Sequence, residues 1–130
     1  MSTLYDKEFG IKGEKKYFSI GDTIVQAGDP AVGWYILLTG RVGVFKSDFT
    51  VAEIESRGTV FGELGCILNV PRTATLQALE PTSVLYVEMS LDEVIRDHPG
   101  FAKRILVSLA ERLAKTTEAW WASMEQGKGK

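Results

Sequence analysis

Phe61-Gly62-Glu63-Leu64-Gly65-Cys66-Ile67-Leu68-Asn69-Val70-Pro71-Arg72-Thr73-Ala74-Thr75-Leu76-Gln77-Ala78 interrupts a chain that otherwise opens as short alternating segments of strand type. Gly62 frees the backbone, and Glu63 to Leu68 read as one short helical turn. Pro71 has no N–H and biases Val70 away from the helical region, so Asn69-Val70-Pro71 stops that turn. A strand follows, with Thr73, Thr75 and Gln77 alternating against Ala74, Leu76 and Ala78.

The arrangement suits a small anion. A glycine ahead of a helical turn lets the backbone approach a ligand, and the first N–H groups of the turn have no partner inside it. Arg72 follows the stop, where its planar fork can grip two phosphate oxygens from the other side. Glu63 is the odd member. A carboxylate beside a phosphate is repelled unless a cation lies between them, and it calls for a donor such as a sugar hydroxyl. Ordinary strand–turn–helix structure accounts for Gly62 and Pro71 but not for Glu63 and Arg72 together. The set asks for one ligand bearing a phosphate and a neighbouring hydroxyl, that is, a nucleotide.

The same residues resemble the phosphate-binding cassette of cyclic nucleotide-binding domains. These are the modules of cyclic-AMP- and cyclic-GMP-regulated kinases, cyclic-nucleotide-gated channels and bacterial catabolite-activator proteins. The family pattern reads here as Phe61-Gly62-Glu63-Leu64, then Pro71-Arg72-Thr73-Ala74-Thr75 and Ala78. A second signature of the family, Tyr-Ile-Leu-Leu-x-Gly-x-Val, is reproduced by Tyr35 to Val42. The resemblance spans roughly residues 17–113 and implies a mainly β fold with C-terminal helices. That fold is a double-stranded β-helix (jelly-roll) with a short phosphate-binding helix, then a short and a long α-helix. It implies ligand contacts from Gly62, Glu63, Leu64, Gly65, Arg72, Thr73 and Ala74, and a base and ribose pocket lined by Val44 and its hairpin partner Ala52. Read as plain strand residues, Val44, Ala52 and Ile54 are core.

The rest of the chain agrees with that class. Its 130 residues are enough for one domain, and 45% are hydrophobic, which supports a real core. A formal charge of -2 argues against a nucleic-acid surface. Cys66 is the single cysteine, so no disulfide forms within the chain and a reducing cytoplasm is the simplest setting. It reads as a small buried hydrophobe rather than a reactive thiol. No apolar run is long enough to cross a membrane, and no signal-peptide core opens the chain.

Residues 1–16 are polar and glycine-spaced and read as a loose N-terminal arm with at most a helical turn. Strands are expected at Tyr17 to Ile20, Thr23 to Ala27, Trp34 to Leu38, Arg41 to Lys46, Thr50 to Ser56 and Ser83 to Glu88, with Ser47-Asp48-Phe49 as a hairpin turn. Short strands evenly punctuated by turns indicate an antiparallel sandwich or barrel. Ser90 is a good N-cap for a short helix with Asp92 and Glu93 in its first turn, ending near His98-Pro99-Gly100. From Phe101 to Met124 there is neither proline nor glycine. Leu106, Leu109, Leu113 and Trp120 recur at helical spacing there, as core or as a dimer seam. The domain is thus expected over 17–125, with a flexible tail at 126–130.

Catalysis is not read from this chain. His98 is the only histidine, so neither a cupin-type metal centre nor a nucleophile–histidine pair can be assembled. No cofactor or metal is called for beyond the ligand, cyclic AMP or cyclic GMP. Thr73 stands where cyclic-AMP-selective kinase relatives carry alanine and cyclic-GMP-selective ones threonine. Microbial relatives combine this threonine with cyclic AMP, which tilts the expectation to cyclic AMP. The family usually covers the open face of the base with a residue from the C-terminal helices. Trp120 continues the leucine stripe, which leaves Trp121 as the better lid; the alternative is that both simply pack, on the β-roll or across a dimer seam. Leu64, Ile67 and Leu68 are expected to pack against Leu91, Ile95 and Phe101, so that ligand binding moves the helices. The partners implied are a cyclic nucleotide and, through the long helix, a second copy of the chain or an effector protein. No helix-turn-helix, kinase or channel sequence is present, which leaves a free-standing sensor or a module of a larger protein. The other reading is a protein-interaction module of the same fold that acts through the long helix without obligatory ligand.

Overall fold

Trp34 to Leu38 is apolar at every position, and the fold explains why. In the computed structural model, which describes residues 4–47 and 49–128, this segment is the centre of strand β4 (Trp34–Thr39) and is buried on both faces. Trp34, Ile36 and Leu38 face one hydrophobic cluster, and Tyr35 and Leu37 face another. A strand covered on two sides loses the polar alternation of a half-exposed one.

The remaining strands are β1 (Leu4–Asp6), β2 (Ile11–Phe18), β3 (Thr23–Val25), β5 (Val42–Lys46), β6 (Phe49–Ile54), β7 (Val60–Phe61), β8 (Thr75–Ala78) and β9 (Thr82–Val87). They form two antiparallel sheets, ordered β1-β2-β9-β4-β7 and β3-β8-β5-β6. Between the sheets lie Val25, Tyr35, Leu37, Val42, Ile54, Phe61, Leu76 and Val84. The architecture is a β-roll of the jelly-roll class, with helix α1 (Glu63–Leu68) inserted between β7 and β8 and helices α2 (Leu91–Asp97) and α3 (Pro99–Lys128) after the last strand.

The second cluster sits on the outer face of the five-stranded sheet, where the helices cover it. Val94 of α2 and Phe101 and Ile105 of α3 pack there on Trp34, Ile36, Leu38, Val60, Leu85 and Val87. The Trp34 ring meets Phe101 edge-on at 6.2 Å, and its indole N–H donates to Met89 O at 2.8 Å. The N-cap at Ser90 forms as expected, its hydroxyl accepting the Glu93 N–H at 3.1 Å.

Three local expectations are corrected. Residues 4–6 and 11–16 are in strands rather than a loose arm, and the strand expected from Tyr17 is the end of β2: β2 pairs with β9 from Glu14↔Tyr86 to Phe18↔Thr82, and Phe9 and Ile11 are buried in the outer cluster. Met1 to Thr3 lie outside the described residues, as does Asp48 of the hairpin. The long helix begins at Pro99, whose missing N–H costs nothing at a helix start, and its backbone runs to Lys128. Of the tail expected at 126–130, residues 126–128 are therefore helical, and 129 and 130 lie outside the described residues. Finally, the face of α3 turned to the roll carries Phe101, Ile105 and Ser108, with Arg112 one turn further on. Of the leucine stripe only Leu109 packs on the core, whereas Leu106, Leu113 and Trp120 are exposed. On α1 and α2, Ile67 and Leu91 pack against the cluster that holds Phe101, but Leu64, Leu68 and Ile95 are exposed.

Candidate functional site

The cleft begins where β7 ends. Gly62 sits at φ +76°, and a Cβ there would lie 3.0 Å from Arg72 Nη1 and 3.1 Å from Tyr35 Cδ2. Only glycine meets both the left-handed backbone and the close approach. Gly65 is required by packing, since a Cβ would come within 2.3 Å of Ala31 Cβ. The turn closes on Asn69, itself left-handed at φ 56°, with its N–H returning to Gly65 O.

Arg72 is fixed at both ends. Its backbone N–H donates to Asp29 O at 2.8 Å, and its carbonyl accepts the Gly28 N–H at 2.9 Å. Its side chain, only 8% exposed, donates through Nη2 to Gly33 O at 2.9 Å and through Nη1 to Gly62 O, with the guanidinium 5.7 Å from the Tyr35 ring centre. Two of its five N–H donors are thus spent on carbonyls, and the fork is held in place beside the Gly62 turn.

Glu63 is 1% exposed. Its Oε1 accepts from Arg112 Nη2 at 2.6 Å, and its Oε2 has no hydrogen-bond partner, the one buried side-chain polar atom so placed among the described residues. Cys66 is half-buried; its Sγ donates to Gly33 O at 3.3 Å, and burial pushes the thiol above its ordinary value, which disfavours the reactive thiolate. This agrees with a packing role.

Gly62, Glu63, Leu64, Gly65, Arg72, Thr73, Ala74 and Val44 line one cleft, with Val25, Ile54, Phe61 and Leu76 as its apolar wall. Two expected members are not there. Ala52 pairs with Val44 across the β5–β6 hairpin but is exposed, and Ile54 takes the place at the cleft. Trp121 is 54% exposed and does not line the cleft. It lies nine positions along the helix from Arg112, about 13 Å at 1.5 Å per residue.

Arg112 is the residue that the sequence reading missed. Besides Glu63 it reaches Val60 O through Nη2 at 3.2 Å, and Ser108, one turn earlier, accepts the Val60 N–H on its hydroxyl at 3.3 Å. The signal was the inward face of α3: Phe101, Ile105, Ser108 and Arg112 recur at helical spacing, a second stripe beside the leucines.

The sequence matches the family model described as "Cyclic nucleotide-binding domain" over residues 15–97, more than half of its length. The chain belongs to the cyclic nucleotide-binding domain family. Among its relatives, the cAMP-dependent protein kinase regulatory subunit of Hypocrea atroviridis is 34% identical over 71 residues, 55% of this chain and 15% of that protein. The cGMP-dependent protein kinase of Plasmodium berghei (strain Anka) is 36% identical over 78 residues, 60% of this chain and 9% of that protein. The chain therefore spans a small fraction of these relatives. In fold it is similar to a putative cyclic nucleotide-binding protein from Geobacter metallireducens GS-15, with a TM-score of 0.65 at 24% identity over 84% of this chain and 82% of the other. No described helix is long and apolar enough to cross a membrane. Among the described residues no group of three or more His, Cys, Asp and Glu side chains is placed to hold a metal ion.

Proposed function

We propose that this chain is a non-catalytic, cytoplasmic sensor of a cyclic nucleotide, cyclic AMP in preference to cyclic GMP, that couples ligand binding to the position of its C-terminal helices. One observation carries the reading. Glu63 and Arg72, from opposite ends of the cassette, are both more than nine-tenths buried and border the same cleft, whose far wall is apolar. A buried guanidinium with unspent donors fits a phosphate, and a buried carboxylate oxygen without a partner fits a vicinal hydroxyl. Val25, Val44, Ile54 and Leu76 suit a purine face. Relatives named for either cyclic nucleotide leave the base open, and Thr73, exposed at the rim, is the residue on which the choice turns. Coupling to the helices is supported by Ile67 of α1, which packs in the cluster holding Phe101, and by the Glu63–Arg112 pair. A ligand moves such an equilibrium only through its different affinity for the two helix positions.

Calorimetric titration of the purified chain with cyclic AMP, cyclic GMP and linear AMP tests the proposal. Cyclic AMP should bind, with linear AMP much weaker. Arg72→Ala should lose at least tenfold in affinity, since truncating a desolvated charge contact typically costs about 2–5 kcal/mol. Arg72→Lys should recover little, because a point charge replaces the fork. No binding of either cyclic nucleotide, or unchanged affinity in Arg72→Ala, rejects the site.

The second reading, an interaction module working through α3 with or without ligand, is favoured by one feature. Leu106, Leu113 and Trp120 recur every seven residues on a face of α3 that the roll leaves exposed. The two readings differ in whether Arg72 matters.

A further inference from the structure

We propose that the seam between the β6–β7 turn and α3 holds a second ligand site, for the phosphate group of a small soluble molecule. It shares no lining residue with the cleft described above and does not depend on the cyclic nucleotide reading.

A second cleft runs between residues 56–59 and one ridge of α3. On that ridge Gly100, Lys103, Arg104, Val107, Ser108 and Glu111 recur at helical spacing. Arg104 is its centre. The guanidinium lies 4.6 Å from the centre of the Phe9 ring, which is buried. It crosses the turn at Gly58, which is left-handed at φ +90° and where a Cβ would lie 2.9 Å from Arg104 Nη1. Neither Arg104 nor Lys103 has a hydrogen-bond or ion-pair partner among the described residues. Glu8, an acid within electrostatic reach of Arg104, is already taken: Arg57 holds its two oxygens, at 3.2 and 2.5 Å. Arg57 spends its Nη1 on Leu38 O at 3.0 Å, so it braces the turn rather than offering charge to a ligand. Glu111 lies seven residues beyond Arg104, about 10 Å along the helix, and marks the acidic end of the cleft.

An arginine resting on an aromatic ring is a common packing device, and it accounts for Arg104 and Phe9 as a pair. It does not account for a second uncompensated cation, Lys103, on the same open cleft. The Ser56 hydroxyl, on the opposite wall, is also unengaged among the described residues. Donors on two walls suit a tetrahedral, doubly charged group better than a planar carboxylate of single charge. A phosphate spanning the seam holds α3 against the turn. It therefore favours the docked helix, through its higher affinity for that position.

The test is calorimetric titration of the full chain with inorganic pyrophosphate at constant ionic strength, made in an Arg72→Ala background so that the first cleft lacks its arginine. Pyrophosphate should still bind. Adding Arg104→Gln should weaken it about tenfold or more, as for loss of a hydrogen bond to a charged group. Where Arg104→Gln does not fold, Lys103→Glu carries the test, since that side chain is exposed, and the same loss is expected. Hydrogen exchange over residues 56–60 and 100–108 should slow on adding pyrophosphate. Succinate, a dicarboxylate of the same charge, should bind far more weakly. Vesicles containing phosphatidic acid should capture no more chain than neutral ones. Loss of binding in Arg72→Ala alone, or unchanged affinity in Arg104→Gln and Lys103→Glu, overturns the site. Succinate binding as well as pyrophosphate overturns the assignment to phosphate. Capture by phosphatidic acid that Lys103→Glu abolishes overturns the soluble source.

Discussion

At Gly62 the backbone is left-handed and an added methyl would press on both Arg72 and Tyr35. A non-glycine residue there pays roughly 1–2 kcal/mol for its backbone alone. Gly62→Ala should lower unfolding free energy in denaturant by at least that amount and weaken cyclic AMP binding, because Arg72 Nη1 has to give way. Thr73→Ala should lower cyclic GMP affinity more than cyclic AMP affinity in paired titrations; an equal effect removes Thr73 from the choice of base. The Tyr86 phenol offers a pH readout. Burial, and then its hydrogen bond to Glu88, push it from 10.0 up to about 12. Its neutral form is thus favoured by folding, so the contribution is complete below pH 10 and is lost as pH rises through about 12. A phenolate absorbance titration should show a tyrosine ionising late, and stability should decline across that window. At this scale the sequence was informative for Glu63 and Arg72, whose chemical types at short spacing single them out and which the fold brings, buried, to one cleft. Arg112 declares nothing locally, because its partner lies 49 positions away and only the folded chain joins them.

Among the elements, β2 was the least legible. Its sequence Ile11-Lys12-Gly13-Glu14-Lys15-Lys16-Tyr17-Phe18 is rich in lysine and broken by glycine, so it reads as polar arm as far as Lys16. Both features have physical causes. The outward positions of a strand on the sheet surface are free to be charged, and Gly13 is needed where a Cβ would lie 2.7 Å from Leu85 Cγ. Ile11 is the hidden core residue. Ile11→Ala should cost about 2–5 kcal/mol in denaturant unfolding, the range for truncating a buried isoleucine; a loose arm would tolerate it without measurable loss. The two sheets and α2 were legible because turn residues and a capped helix start are local signals. The orientation of α3 was not, because two apolar stripes run along it. Leucine marks the more conspicuous stripe, and the roll takes the one with Phe101, Ile105 and Ser108.

On the scale of the whole molecule, α3 divides into a docked half and a projecting half at Arg112. From Leu113 to Glu125 every residue is exposed. A helical segment of this length is marginal in water without tertiary packing, and this one presents Leu113 at 67% and Trp120 at 61% exposure, in register with Leu106. A seven-residue apolar repeat on an unpacked face is the pattern that pairs with another helix. The cleft, in contrast, is complete by Arg112. These two statements predict that ligand binding and assembly separate cleanly. A chain ending at Lys115 should keep cyclic AMP affinity within about twofold, as expected for distant, independent sites, and should sediment as a monomer. The full chain should self-associate with rising concentration, and Leu113→Glu should abolish this without changing affinity for cyclic AMP. A full chain that stays monomeric at every accessible concentration excludes the second copy and assigns the seam to an effector. A truncated chain that loses affinity by tenfold or more places part of the ligand site beyond residue 115, and restores Trp121 as a residue that reaches the base in the bound state.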